Sequence, residues 1–290
     1  MMPTSLEALL VLLDLESLEV NLFRGLSPET PHQRVFGGQV AAQALVAAGR
    51  TVADDRRVHS LHSYFLRPGD PTIPIVYEVD RIRDGRSFTT RRVIAIQHGQ
   101  AIFNLAASFQ IEEPGPDHQM AMPAVPDPDD LPTMGERIDA RRDRFSAGAL
   151  EWLERTTPIE MRHVEDPQWF EREKRAPEQD QWLRTTAPMP DDPLLHACVV
   201  AYASDMSLID TATLPHALGY DGNVMTASLD HAMWFHRPFR ADEWLLYHQK
   251  SPSASGARGL AEGYVFRRDG ALAGTVIQEG RIRPVKRSPS

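Results

Sequence analysis

The sequence predicts an α+β fold made of two like units, each a long central helix wrapped by an antiparallel β-sheet. Three observations carry this. First, "SLHSYFLRPGD" (Ser60–Asp70) returns as "SLDHAMWFHRPF" (Ser228–Phe239). Set on Arg67-Pro68 and Arg237-Pro238, the copies also align Tyr64 with Trp234, Phe65 with Phe235 and Tyr77 with Tyr247, at a constant offset of 170 residues. A chance match does not hold register that far, so the chain contains an internal repeat. Second, "GGQVAAQALVAAG" and "PLLHACVVAYAS" are apolar or small on nearly every side. A helix with no polar face is buried all round, and a sheet must supply the cover. Third, each helix is followed by four strand-length runs broken by turn signals, among them "HG" at Gly99 and "DG" at Gly270.

In chain order, "SLEALLVLLDLESLEV" comes first. It carries Glu7, Asp14, Glu16 and Glu19 at roughly helical spacing and lacks a basic start. It therefore reads as an amphipathic helix, neither a leader nor a membrane span. A helix from about 38 to 53 follows, then strands near 58–67, 73–83, 86–98 and 101–111. Residues 112–190 differ in character, with eleven of the 23 prolines and the charged run "GERIDARRDRF". They read as a linker crossing the surface with some local helix, on which Arg141, Arg142 and Arg144 either meet phosphates or form a solvated face. The second unit has a helix near 193–204 and strands near 225–237, 243–251, 257–268 and 271–283. The expected organisation is thus 1–111, a linker 112–190, and 191–290. The terminal "KRSPS" matches no sorting address.

Composition excludes several functions. A chain of 290 residues with 42% hydrophobic and 24% charged residues buries a sizeable core. A net charge of -9 argues against a nucleic-acid binder, which needs a basic face to displace counterions. The lone Cys198 rules out an internal disulfide or a cysteine zinc cluster, and a reducing, cytoplasmic setting is expected. No cofactor is expected, because no G-x-G-x-x-G or Walker loop occurs. No metal is expected either: His59 and His62, or His231 and His236, are odd-spaced and fall on opposite strand faces. The same rule separates Ser228 and Asp230 from His231, so "SLDH" forms no catalytic relay.

Two features remain. Asp205 follows the apolar run of the second helix, where an unpaired carboxylate costs several kcal/mol or changes its pKa. It either caps the helix end beside Ser204 and Ser207 or does chemistry. "FGGQV" is either a simple turn or a helix N-terminus whose free amides, around Gly37, Gly38 and Gln39, face a ligand carbonyl or anion.

The strings "RVFGGQVAAQAL", "VHSLHSYFLRPGD", "RDGRSFTTRRV", "YASD", "SLDHAMWFHRPFRADEWLLY", "SASGARG" and "TVIQEG" resemble the acyl-CoA thioesterase II family, whose fold is a double hotdog. The resemblance covers nearly the whole chain outside the linker. It implies hydrolysis of fatty acyl-CoA to fatty acid and CoA, with the hydrolytic water held by Asp205, Ser228 and Gln278. It also implies a homodimer or higher oligomer, and no stable membrane insertion. Projected onto the first unit, Ser228 falls on Val58, and Gln278 on Ala107 or Ser108, so this set is expected once. Arg86 or Arg91 in "RDGRSF" either packs or meets the CoA phosphates. The small residues of "SASGARG" let a CoA chain approach the backbone. Two rivals stand beside hydrolysis: an enoyl-CoA hydratase or dehydratase, for which Asp210 and His216 lie near the required spacing, and a non-catalytic acyl-CoA binding module.

Overall fold

The computed structural model describes residues 3–28, 34–170, 173–218 and 224–285, so "KRSPS" lies outside the described residues. The helices are α1 Leu6–Leu13, α2 Gly37–Gly49, α3 Met134–Asp139, α4 Ala147–Leu153 and α5 Pro193–Ser204. The strands are β1 Glu16–Glu19, β2 Leu22–Gly25, β3 Arg56–Phe65, β4 Ile75–Asp84, β5 Phe88–Gln97, β6 Gln100–Ile111, β7 Ile159–His163, β8 Glu178–Thr185, β9 Val224–Ser228, β10 Asp230–Phe235, β11 Leu245–Ser255, β12 Arg258–Arg267 and β13 Leu272–Pro284.

All strands join one antiparallel sheet, in the order β1-β2-β4-β5-β6-β3-β10-β13-β12-β11-β8-β7, with β9 also on β13. The order is a palindrome of the repeat. Its midpoint is the β3–β10 pair, where His62 faces Ala232. These two residues are equivalent under the repeat offset, so each copy of the echoed stretch pairs with the other across a local twofold.

The sheet wraps α2 and α5, which are buried along most of their length. They run antiparallel and touch through small residues. A Cβ on Gly38 would lie 2.5 Å from the Tyr202 carbonyl oxygen, and one on Gly49 would lie 2.3 Å from Leu194. Gly38 thus lets the start of α2 meet the end of α5.

Three expectations change. The N-terminal helix, capped by Ser5 at 3.1 Å from the Ala8 amide, stops at Leu13, and Glu16 and Glu19 lie in exposed β1. The strand expected over 225–237 breaks at Leu229 into β9 and β10. The segment 112–190 is more than a surface linker, because β7 and β8 complete the second half of the sheet just as β1 and β2 complete the first. "EQDQWLRT" hides its strand character because its inner face is polar. Gln179 donates to Thr211 Oγ1 at 3.0 Å and to Gln249 Oε1 at 2.7 Å, and Gln181 donates to Ser207 Oγ. Among the described residues no helix is long and apolar enough to cross a membrane.

Trp182 and Leu183 of β8 are buried in the sheet's two faces. Leu183→Ala should destabilise the protein by about 2–5 kcal/mol in urea unfolding, as for a core leucine. A loss within about 0.5 kcal/mol, the range of surface substitutions, would return β8 to the linker.

Candidate active site

Asp205 is the C-cap residue of α5, yet its carboxylate does not cap the helix. Its Oδ1 accepts from Gln278 Nε2 of β13 at 2.6 Å and from Ser228 Oγ of β9 at 3.2 Å. The Gly38 amide of α2 reaches the same carboxylate. Four elements from both halves of the chain therefore converge on one acid. A Cβ on Gly37 would stand 2.7 Å from Asp205 Oδ2, so the glycine pair is what allows this approach. Burial is the largest influence and raises the Asp205 pKa from 3.8 to about 6, against the lowering effect of the Gln278, Ser228 and Gly38 hydrogen bonds.

Ser228 reaches Asp205 because of an irregularity both copies share. Between β9 and β10, Leu229 bonds Glu279 O and Phe65 N through its backbone, and the pairing with β13 slips by one residue. Between Val58 and Ser60, β3 slips by one residue against β6 in the same way, with His59 the extra residue. This is a β-bulge, which re-aims the side chain beside it. Asp230 then turns away to accept from the Glu279 amide at 2.6 Å, and His231 enters the core to bond Ser204 Oγ at 2.9 Å. Burial lowers the His231 pKa to about 4, so the ring is neutral and structural.

Asp205 opens on a cavity of about 790 Å³. Its apolar lining includes Phe36, Val40, Phe65, Phe103, Met206 and Ile209. Two buried polar atoms at this site lack a hydrogen-bond partner, Gln278 Oε1 and the Tyr202 hydroxyl. Tyr202 lines the cavity one helical turn before Asp205, a spacing already visible in "YASD".

Two family models match the chain, one described as acyl-CoA thioesterase over residues 153–281 and one as acyl-CoA thioesterase N-terminal domain over residues 26–110. Acyl-coenzyme A thioesterase 8 of Mus musculus is 48% identical, over 93% of this chain and 87% of its own length. The chain belongs to the acyl-CoA thioesterase family. A crystal structure of an acyl-CoA thioesterase II from Mycobacterium marinum is 47% identical, with a TM-score of 0.79, covering 96% of this chain and 99% of that one. A protein with a hot dog fold from Alicyclobacillus acidocaldarius, 22% identical, shares the fold at a TM-score of 0.77 over 96% and 99% of the two chains. The architecture is that of a double hotdog, and the thioesterase is by its family an acyl-CoA thioester hydrolase.

Within the thioesterase, the other sequence-predicted residues have different fates. Gly37 and Gln39 line the cavity while Gly38 packs against the Tyr202 carbonyl, and the Gln39 side chain turns back to Leu26 O and Ser27 Oγ at 3.2 and 3.1 Å. Arg86 is exposed on the β4–β5 hairpin and is not among the cavity's lining residues. Arg91, expected either to pack or to meet the CoA phosphates, has the surroundings of a packed residue. It is 2% exposed, and its guanidinium bonds Thr51 Oγ1 at 2.8 Å, Thr51 O at 2.9 Å and Asp84 at 2.6 Å. Gly259 of "SASGARG" likewise serves packing, since a Cβ there would lie 2.6 Å from Ala212 and from Ile282.

Register explains why Arg91 is buried. Arg91 faces Ala107 across β5–β6, and Ala261 faces Gln278 across β12–β13. Gln278 is therefore the counterpart of Ala107, and Arg91 of Ala261. The long side chain has changed strands between the two halves. Metal-ligating residue types gather at one other place among the described residues, Glu178, Asp180 and His248 on the outer strands β8 and β11. There His248 Nδ1 bonds Asp180 at 2.8 Å, and Lys250 Nζ lies 3.9 Å from Glu178.

Arg91→Ala should lower the thermal midpoint by several degrees, because it empties a buried, hydrogen-bonded post. Thiol release from acyl-CoA should stay at the wild-type KM in the folded variant. A KM increase in steady-state assays would restore Arg91 to the substrate site.

Proposed function

We propose that the chain hydrolyses acyl-CoA thioesters by direct attack of a water held by Asp205, Ser228 and Gln278. The observation that carries this is a half-buried carboxylate, raised by desolvation to a pKa of about 6, that receives donors from both halves at the wall of a largely apolar cavity. A base titrating near neutrality combines the right protonation state with useful basicity. Gln278 donates to Asp205 through Nε2 and keeps Oε1 to accept from water, and Ser228 fixes the carboxylate from the other side.

The step balances as follows. Asp205 takes a proton as the water oxygen bonds to the thioester carbon, and the carbonyl oxygen becomes an oxyanion. The positive end of α2, pressed against Asp205 by Gly37 and Gly38, favours that charge. The intermediate collapses with cleavage of the C–S bond, and the leaving thiolate takes the proton back from Asp205. No acyl-enzyme is involved: the Ser228 hydroxyl donates to a carboxylate, and His231 faces Ser204 instead. The hydratase reading loses support because Asp210 and His216 lie together in a 3₁₀ segment, Leu208–His216, outside the cavity's lining. A purely binding module has no need of the raised carboxylate. Cys198 is buried, with its thiol pKa pushed up, and takes no part; we place the enzyme in a reducing cytoplasm.

Asp205→Asn should abolish measurable thiol release, and Gln278→Ala should lower kcat by about 10²–10⁴, the range for positioned proton transfer. Folded variants hydrolysing at the wild-type rate would remove the mechanism.

In wild type, kcat/KM should rise with pH through a midpoint near 6, where Asp205 ionises. The same group costs stability. Its folded pKa stands above the unfolded value of 3.8, so the folded state holds the proton more tightly. Its contribution to stability is then fully present below pH 3.8 and is lost as pH rises to about 6. Asp205→Asn should accordingly unfold at higher urea than wild type at pH 7, by a few kcal/mol; equal or lower stability would show that the carboxylate is not strained by burial.

A further inference from the structure

The cavity beside Asp205 has a second chemical character. Arg34, Arg67 and Arg281 all line it, and Asp205 is the only carboxylate among the described lining residues. Elsewhere the chain commonly matches arginines with acids, as in Arg24–Glu16, Arg92–Asp80, Arg184–Glu160, Arg240–Asp242 and Arg258–Glu279. None of these three has a carboxylate partner among the described residues. Among the described residues the Arg67 side chain makes one hydrogen bond, Nη1 to Ala101 O at 2.6 Å, which orients the guanidinium. Arg281 reaches only the Met225 thioether at 3.2 Å, and its buried Nε has no partner. A thioether is a weak acceptor, so this cation is poorly matched by the protein itself.

Their position separates them from the chemistry. No guanidinium contributes to the Asp205 shift, which comes from burial and three neutral donors. The hydrogen bonds to Asp205 come from Gln278, Ser228 and the Gly38 amide, and none comes from these three arginines. Arg34 and Arg67 are exposed, at the outer part of the cavity. A chain of net charge -9 repels an anionic ligand at long range, so a local group of uncompensated guanidiniums is what draws one to this mouth. Arginine matches phosphate through its planar fork of donors.

We propose that Arg34, Arg67 and Arg281 form the seat for the phosphate groups of the CoA nucleotide, with the pantetheine arm running inward from them to Asp205. The assignment rests on the reading of the Asp205 cavity as a thioester site. It gives that role, in place of Arg86 and Arg91, to three residues that line the same cavity as Asp205.

The test compares wild type with the R34Q/R67Q/R281Q variant in two ways. Calorimetry measures binding of CoA and of adenosine 3′,5′-bisphosphate, and thiol-release kinetics compare an acyl-CoA with the acyl-pantetheine of the same chain. The triple variant should bind both nucleotides at least about tenfold more weakly, the scale of one or more lost charge-assisted bonds. Its KM should rise at least about tenfold more for acyl-CoA than for acyl-pantetheine, and R67K and R281K should recover part of the difference. Wild-type CoA affinity should fall steeply with salt. Unchanged CoA affinity, no CoA binding by wild type, or an equal KM rise on both substrates overturns the assignment. If wild type releases thiol from neither substrate, the thioesterase mechanism fails, and the nucleotide affinities still decide the role of the arginines. Should the triple variant fail to fold, the single Gln and Lys variants are read by the same ratios.

Discussion

The close approach of two helix ends governs this molecule. The first turn of α2 lies against the last turn of α5 because Gly37 and Gly38 carry no side chains, and any Cβ there would meet Asp205 or the Tyr202 carbonyl. That contact places positive backbone charge beside a carboxylate that burial would otherwise force to take up a proton. It also fixes the span that Ser228 and Gln278 must bridge from the sheet. The sheet, in turn, has no edge in its middle: β3 and β10 pair across the local twofold, so both halves are locked around the helix pair.

Symmetry of backbone coexists with asymmetry of furnishing. The strand order reads the same from either end, and both central strands carry the one-residue slip. At the far end of the helix pair, however, Leu194 presses on Gly49 where glycines would be needed, and Arg91 faces Ala107, the counterpart of Gln278 at the working end. Burying that guanidinium is tolerable because Thr51 and Asp84 satisfy it. One half bonds its polar group to Asp205 and the other bonds its own to Thr51 and Asp84.

Much of this was legible in the sequence, for identifiable reasons. The repeat, the two central helices and most of the strands follow from side-chain periodicity and turn chemistry, which are local. Asp205 stood out because a carboxylate at the end of an apolar helix is costly wherever the chain goes. Gln278 and Ser228 were legible only through the family resemblance and the comparison of copies, since neither residue type is unusual in a strand. Strand β8 was missed because its inner face carries glutamines that bond Ser207, Thr211 and Gln249, a three-dimensional match with no hydrophobic period. Arg91 stayed open between packing and phosphate contact for the converse reason: an arginine beside a hairpin allows both, and only strand register shows it opposite Ala107 with its head bonded to Thr51.

The shared slip at His59 and Leu229 carries a lesson about history. Only the second copy uses it, to aim Ser228 at Asp205; in the first, Val58 occupies the equivalent place and is part of the apolar core. A kink retained in a copy that no longer needs it is a property of the ancestral backbone, older than the present division of labour between the halves. The duplicated chain therefore holds the same backbone frame twice, with different side chains set on it. A route back to a second working centre would run through side-chain exchanges at positions such as 58, 91, 107 and 194, with no strand re-registered.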